Sequence, residues 1–200
     1  MARSNRPVSS RQAWWLLATA LAAFLPLTPQ LPLWLSLAAG AAFSWRAALT
    51  WRQWRLPPRW LLVLLVIAGT VGVFLQYRTT LGRTPGIALL VVFLGLKLLE
   101  LRSARDAVAT ALLCYFLVLG QFLFTQTIPT ALLACLTVLI TTATLLAASD
   151  DRPQPQQQIR RAGLMLAQAL PFMLLLFVLF PRVQGPLWGI PQDRFSAVSG

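Results

Sequence analysis

Of 200 residues, 58% are hydrophobic, 11% are charged and none is His, a composition too apolar to clothe a water-soluble domain of this size. The formal net charge of +12 would favour nucleic acid if the cations formed one patch, but they lie in short clusters beside apolar runs with Trp between them, so nucleic acid is excluded as an expected partner and the bilayer takes its place. Cys114 and Cys135 each sit inside an apolar run, which excludes a disulfide framework and assigns both to packing.

Hydropathy divides the chain into segments at about 13 to 29, 32 to 49, 60 to 76, 85 to 101, 107 to 124, 128 to 148 and 163 to 180. The expected fold class is all-α, a polytopic transmembrane helical bundle of about seven spans. The range is about five to seven, because the first, second and fourth segments are short for a hydrocarbon core about 30 Å thick. Residues 1–180 form the membrane domain in this reading, and 181–200 an extracytoplasmic Pro/Gly-rich linker.

At the N-terminus, Arg3, Arg6 and Arg11 precede the apolar run from Trp14 to Leu25, as in a secretory signal. Pro26, Leu27 and Pro29 follow that run in place of a small-residue cleavage site, which predicts an uncleaved first span. Pro26, Pro29 and Pro32 lack amide donors and restrict the residues before them, so the first two segments read as a hairpin rather than one long helix. Between the second and third segments, Trp51 to Arg59 mixes Trp with Arg and stops at Pro57 and Pro58, the pattern of a stretch lying along the interface.

The fourth and fifth segments meet at Gly95 to Asp106, where the charges are closely spaced. On a continuous helix, Lys97 would pair with Glu100 and Arg102 with Asp106, lowering the cost of cations close to hydrocarbon. Lys97, Glu100, Arg102, Arg105 and Asp106 are the candidate inner-face cluster. The plainer reading is a charge-paired cap; the functional one is a conformational or partner-binding site. Gln121 and Gln126 read as interfacial hydrogen-bonding groups.

In the sixth segment Thr130, Ala134, Thr137, Thr141, Thr144 and Ala148 recur at helical spacing as a stripe of small residues, a surface for close helix approach. Ala68 with Gly72 and Gly163 with Ala167 offer shorter versions. Asp150, Asp151, Arg152 and Gln156 to Gln158 read as a solvated loop before the seventh segment. After it, Pro181, Arg182, Gly185, Pro186, Leu187 and Trp188 form a candidate outer-face collar, too broken by Pro and Gly for helix yet able to rest in the headgroup layer.

Charge fixes the expected orientation. One set of alternate gaps and adjoining span ends holds Arg3, Arg6, Arg11, Arg46, Arg52, Arg55, Arg59, Lys97, Arg102, Arg105, Arg152, Arg160 and Arg161, thirteen of the 17 Lys and Arg. The other set holds Arg78, Arg83, Arg182 and Arg194. Short loops rich in Lys and Arg stay in the cytoplasm, so the N-terminus is expected inside and the C-terminus outside a bacterial inner membrane. Trp14, Trp15, Trp45, Trp51, Trp54 and Trp60 flank the inner ends, and Trp34 and Trp188 the outer ones, as anchors.

Three blocks carry a resemblance: Lys97-Leu-Leu-Glu-Leu-Arg-Ser-Ala-Arg-Asp106, then Tyr115-Phe-Leu-Val-Leu-Gly120 with Phe122-Leu123, then Phe177-Val-Leu-Phe-Pro-Arg-Val-Gln-Gly-Pro-Leu-Trp-Gly-Ile-Pro191. Together they resemble the N-terminal membrane domain of bacterial membrane-anchored transglutaminase-like proteins of the TgpA type. The resemblance implies a large extracytoplasmic domain after the bundle, with a Cys, His and Asp triad for acyl transfer, and one more span near the C-terminus. Without His these 200 residues supply no such triad, so no catalytic, cofactor-binding or metal-ligating residues are expected here, and the chain reads as ending before the catalytic domain. The expected function is a non-catalytic membrane anchor and assembly domain of an envelope transglutaminase-like enzyme. Its expected partners are the lipid bilayer and the C-terminal catalytic domain of the same protein, with other membrane proteins or a homo-oligomer left open. The alternative is a small stand-alone multispan transporter or channel using the Thr stripe and the Lys97 to Asp106 cluster as a path.

Overall fold

A computed structural model describes residues 8–54, 56–78, 82–149 and 154–179. Among them the chain forms seven α-helices: α1 (Ser10–Phe24), α2 (Leu33–Arg52), α3 (Arg59–Tyr77), α4 (Arg83–Glu100), α5 (Ala104–Gln121), α6 (Ile128–Ser149) and α7 (Pro155–Leu179). The fold class is all-α. By length and composition, α3, α5, α6 and α7 are long and apolar enough to cross a membrane. Of the others, α1 has only 15 residues, and α4 carries Arg83, Lys97 and Glu100.

Local chemistry sets the helix ends. Ser9 and Gln12 form a reciprocal capping box at the start of α1, and Ser103 and Asp106 form another at the start of α5. Pro32 and Pro58 precede α2 and α3, where a missing amide costs nothing. Past Phe24 the chain tightens into a 3-10 segment, Leu25–Gln30, that holds Pro26 and Pro29. At about 1.5 Å per α-helical and 2.0 Å per 3-10 residue, α1 and this segment together reach about 34 Å. The prolines therefore both extend the first helix and end it, giving the hairpin with α2. Two helices stop on left-handed residues other than Gly, Gln53 at φ 53° and Arg78 at φ 57°. Gln53 Nε2 also donates to the Thr50 carbonyl, satisfying one of the carbonyls left open at the end of α2.

The chain divides into two compact units, Met1–Leu164 and Met165–Gly200. In the first, α1 packs on α2, α5 and α6, α5 also on α4 and α6, and α4 on α2 and α3. The central helices bury one face each: Leu16, Ala20, Ala23 and Phe24 on α1, Ala88, Val91, Leu94 and Leu98 on α4, and Ala107, Ala111, Cys114 and Val118 on α5. Peripheral α3 buries only Leu62 and Val73 and exposes Leu64, Ile67, Val71 and Leu75, a surface suited to hydrocarbon rather than water. Cys114 is buried as expected of a packing residue, whereas Cys135 is exposed on α6 among the described residues, a correction to its assignment to packing. The second unit holds the rest of α7, which is apolar around its whole circumference apart from Gln168 and contains Pro171.

Long-range hydrogen bonds in the first unit fix which helix ends lie together. At one end, the Val8 amide reaches the Arg102 carbonyl, Gln12 the Ala147 carbonyl, Arg46 the Leu101 carbonyl and Arg102 the Pro57 carbonyl. At the opposite end, Gln121 reaches the Ala23 carbonyl and Arg83 the Leu123 carbonyl. Helices α1 to α6 therefore alternate in direction, with α1 parallel to α5 and α2 parallel to α4.

Two local readings change. Gln156 to Gln158 belong to α7, which begins at Pro155, because Pro is well placed in a first helical turn and Gln is a good helix former; Asp150, Asp151 and Arg152 lie outside the described residues. Gln121 is not interfacial but 1% exposed, its Nε2 donating to the Ala23 carbonyl at 3.0 Å, while Gln126 is exposed and bonds the Phe122 carbonyl.

Candidate functional site

Helix α4 stops at Glu100 because Ser103, three residues on, caps the next helix and pulls the chain into an extended conformation (φ −124°, ψ 162°). The bend brings Lys97, one turn before the break, against Asp106, one turn after it. Lys97 Nζ lies 2.8 Å from Glu100 Oε2 and 2.8 Å from Asp106 Oδ1. Asp106 Oδ2 accepts from the Ser103 amide at 3.0 Å, the Ser103 hydroxyl at 2.9 Å and the Arg102 amide at 3.2 Å. One carboxylate thus closes an ion pair and satisfies the amides of the two residues that lead into α5. The anion sits at a helix N-terminus and the cation at a helix C-terminus, where both macrodipoles favour them.

The expected Arg102–Asp106 side-chain pair does not form, since it required a helix running through both residues. The Arg102 guanidinium instead donates to the Pro57 carbonyl at 2.8 Å, ahead of α3. Arg105 is exposed. The Leu101 and Arg102 carbonyls accept from Arg46 Nη2 at 3.4 Å and from the Val8 amide at 3.1 Å. The α4–α5 junction is therefore tied to the N-terminal segment, to α2 and to the link before α3. Sequence reasoning missed Ser103 as its hub, although Ser103-Ala-Arg-Asp106 has the Ser-x-x-acid spacing that starts helices. It also placed Arg46 only by charge count. Arg46 is 6% exposed and its Nε has no partner among the described residues.

The Thr stripe lies elsewhere, on the buried face of α6. Ala134, Thr137, Thr141 and Thr144 are buried, while Thr130 is half-buried at the opposite end of the bundle and bonds Thr127 at 2.8 Å. The hydroxyls of Thr137, Thr141 and Thr144 donate back to the carbonyls of Leu133, Thr137 and Ile140, so their polarity is spent within their own helix. Thr142 donates to the Val138 carbonyl at 2.7 Å, leaving its oxygen to accept from Tyr115 Oη on α5 at 2.9 Å. The charge cluster and the stripe are not brought together into one path. The collar residues Pro181, Arg182, Gly185, Pro186, Leu187 and Trp188 lie outside the described residues. No group of three or more His, Cys, Asp or Glu among the described residues could hold a metal ion.

What the arrangement does chemically is lock helix ends. The Lys97–Asp106 pair joins α4 to α5, and the Arg46, Arg102 and Val8 bonds join the junction to α2, to the link before α3 and to the N-terminal segment. The family model described as the TgpA N-terminal domain matches residues 15–200. Among curated proteins, a protein-glutamine gamma-glutamyltransferase of Pseudomonas aeruginosa is 34% identical over 190 residues, a match covering 93% of this chain and 28% of that protein. The chain thus spans under a third of the length of the relative it matches. No solved structure matches it significantly.

Proposed function

The chain belongs to the TgpA N-terminal domain family, the membrane domain of transglutaminase-like proteins, and from that premise we propose that it anchors a following catalytic domain and presents it on the extracytoplasmic side. All seven helices are spans in this reading. The 3-10 extension gives α1 the needed reach, and the ion-paired Lys97 lets α4 bring its charged end to the headgroups. The observation that carries the orientation is the segregation of charge along the bundle. Arg11, Arg46, Arg52, Arg59, Lys97, Arg102 and Arg105 belong to the end where α1 starts and α4 finishes, and Arg78 and Arg83 to the other. Retention of cations in the cytoplasm makes the first end internal, and an odd number of spans delivers residues 181–200 outside as the linker.

The partners in this reading are the bilayer and the domain that follows, for which the relative's name supplies the chemistry, transfer of the γ-glutamyl group of a protein glutamine. A transport path finds no support in the Thr stripe, whose buried hydroxyls are already bonded along α6. Reporter fusions after Ser149 and after Gly200 test the orientation: a cytoplasmic signal at the first and an extracytoplasmic one at the second are expected, and matching signals overturn the odd span count. Replacing the bundle of the full-length protein with an unrelated anchor of the same orientation tests the role. Retained transferase activity is expected, and loss of activity with the catalytic domain folded and exported would assign the bundle more than anchoring.

A further inference from the structure

A cleft of about 370 Å³ opens between the start of α1 and the end of α2, lined by Trp14, Ala47, Ala48, Trp51 and Arg52. Its chemistry is unlike the rest of the apolar surface. Two exposed indoles flank it, small side chains line it between them, and a guanidinium stands at its rim. Arg52 stacks over Trp54 with its Cζ 4.9 Å from the ring centroid, which orients the guanidinium plane while leaving its edge donors available. Among the described residues, the two carboxylates at this end, Glu100 and Asp106, are both engaged by Lys97, and neither pairs with Arg52.

The α2 face that carries Ala48 and Trp51 continues toward the other end of the bundle as Ser44, Gly40 and Leu37, at helical spacing. Leu37 is exposed, and a Cβ built on Gly40 would meet nothing within 4 Å. The cleft thus adjoins a helix face of small side chains, with Arg52 at one end of that face and exposed Leu37 toward the other.

We propose that this cleft binds an anionic phospholipid, its phosphate on Arg52 between the indoles of Trp14 and Trp51 and one acyl chain along the Ala48, Ser44 and Gly40 face. Charge complementarity selects this occupant: the end of the bundle is rich in cations, the carboxylates described there are both held by Lys97, and basic pockets between membrane helices at the cytoplasmic surface suit anionic headgroups. The indole N–H groups add donors for phosphate or ester oxygens. The inference rests on the bundle lying in lipid, but not on which compartment this end faces.

The test uses the full chain in detergent, titrated with phosphatidylglycerol or phosphatidylethanolamine and read by native mass spectrometry. Wild type is expected to hold its first phosphatidylglycerol about tenfold more tightly than phosphatidylethanolamine. Arg52→Gln removes the phosphate contact, and Ala48→Leu fills the cleft without changing charge. Each is expected to abolish the preference, while Arg59→Gln at the same end leaves it intact. Both altered positions are exposed, and unchanged thermal midpoints confirm folding; should either variant unfold, the other decides. Equal loss in Arg59→Gln would make the attraction diffuse, no effect of Ala48→Leu would leave the cleft without a role, and displacement by millimolar inorganic phosphate would make it a free-anion site. Each of these overturns the proposal, as does equal binding of the two lipids. A protein absent from the membrane fraction would instead refute the membrane reading itself.

Discussion

Asp106→Ala should be the most damaging single change at the α4–α5 junction. It removes the contact of one carboxylate oxygen with Lys97 at 2.8 Å and the three hydrogen bonds that the other accepts from Ser103 and Arg102. A charge-assisted bond contributes about 1.5 to 3 kcal/mol and a helix cap about 1 kcal/mol. The Lys97 and Asp106 side chains are 24% and 18% exposed, so solvent screening discounts the ionic part toward its lower limit. The expected loss is about 2 to 4 kcal/mol. Glu100→Gln should lose no more than about 1 kcal/mol, because Glu100 is 37% exposed, the amide oxygen can still accept from Lys97, and no cap is touched. The assay is reversible unfolding of the purified chain in mixed micelles, with a double-mutant cycle of Lys97→Met and Asp106→Asn to isolate the pair. A coupling of about 1 to 2 kcal/mol is expected. Coupling below about 0.3 kcal/mol, or equal losses in Asp106→Ala and Glu100→Gln, would refute the account of the junction.

Other substitutions probe packing by the same unfolding measurement. Gly69→Ala should destabilise by about 1 to 3 kcal/mol, since its Cβ would stand 2.7 Å from Cγ1 of stiff, branched Val92. Gly40→Ala should be neutral or stabilise by up to about 1 kcal/mol, because the new methyl meets nothing and helix propensity improves. Thr141→Val should stay within about 1 kcal/mol of wild type, as its hydroxyl serves only the Thr137 carbonyl of its own helix; a larger loss would reveal an interhelical role. Arg46→Met should be neutral or stabilising, because the buried guanidinium has one long bond at 3.4 Å and an unsatisfied Nε; a loss beyond about 2 kcal/mol would mean the charge is needed for the fold.

The sequence was most legible where covalent geometry or hydropathy dominates. Pro32 separates α1 from α2 because the ring forbids the helical bond, and the apolar segments place six of the seven helix starts within three residues. The buried stripe of α6 was readable from Thr137, Thr141 and Thr144 because one rotation per 3.6 residues puts them on one face. Less could be read where the answer depends on which helices are neighbours. Gln121 finds its acceptor at Ala23, 98 residues away, and no local pattern marks it as buried. Arg102 was paired with Asp106 on the assumption of one helix, and the capping chemistry of Ser103 overrode that spacing. Cys135 looked interior only because its segment is apolar, a signal that does not separate protein-facing from lipid-facing sides of a helix in hydrocarbon.

The parallel placement of α1 against α5 sets a constraint on biogenesis. At about 5 to 20 residues per second, the ribosome needs about 5 to 20 s after making Ala23 before it has made Gln121. If every helix is a span, as proposed above, the earliest helix waits in the membrane with the alanine-rich face that meets α5 uncovered. Such a wait would be hazardous in water, where unburied leucines associate with whatever they meet, but acyl chains cover that face at little cost. Assembly can consequently proceed in two stages, insertion of each hairpin and then lateral closure. Within residues 1–164, the fifth and sixth helices reach the first long after its own synthesis ended.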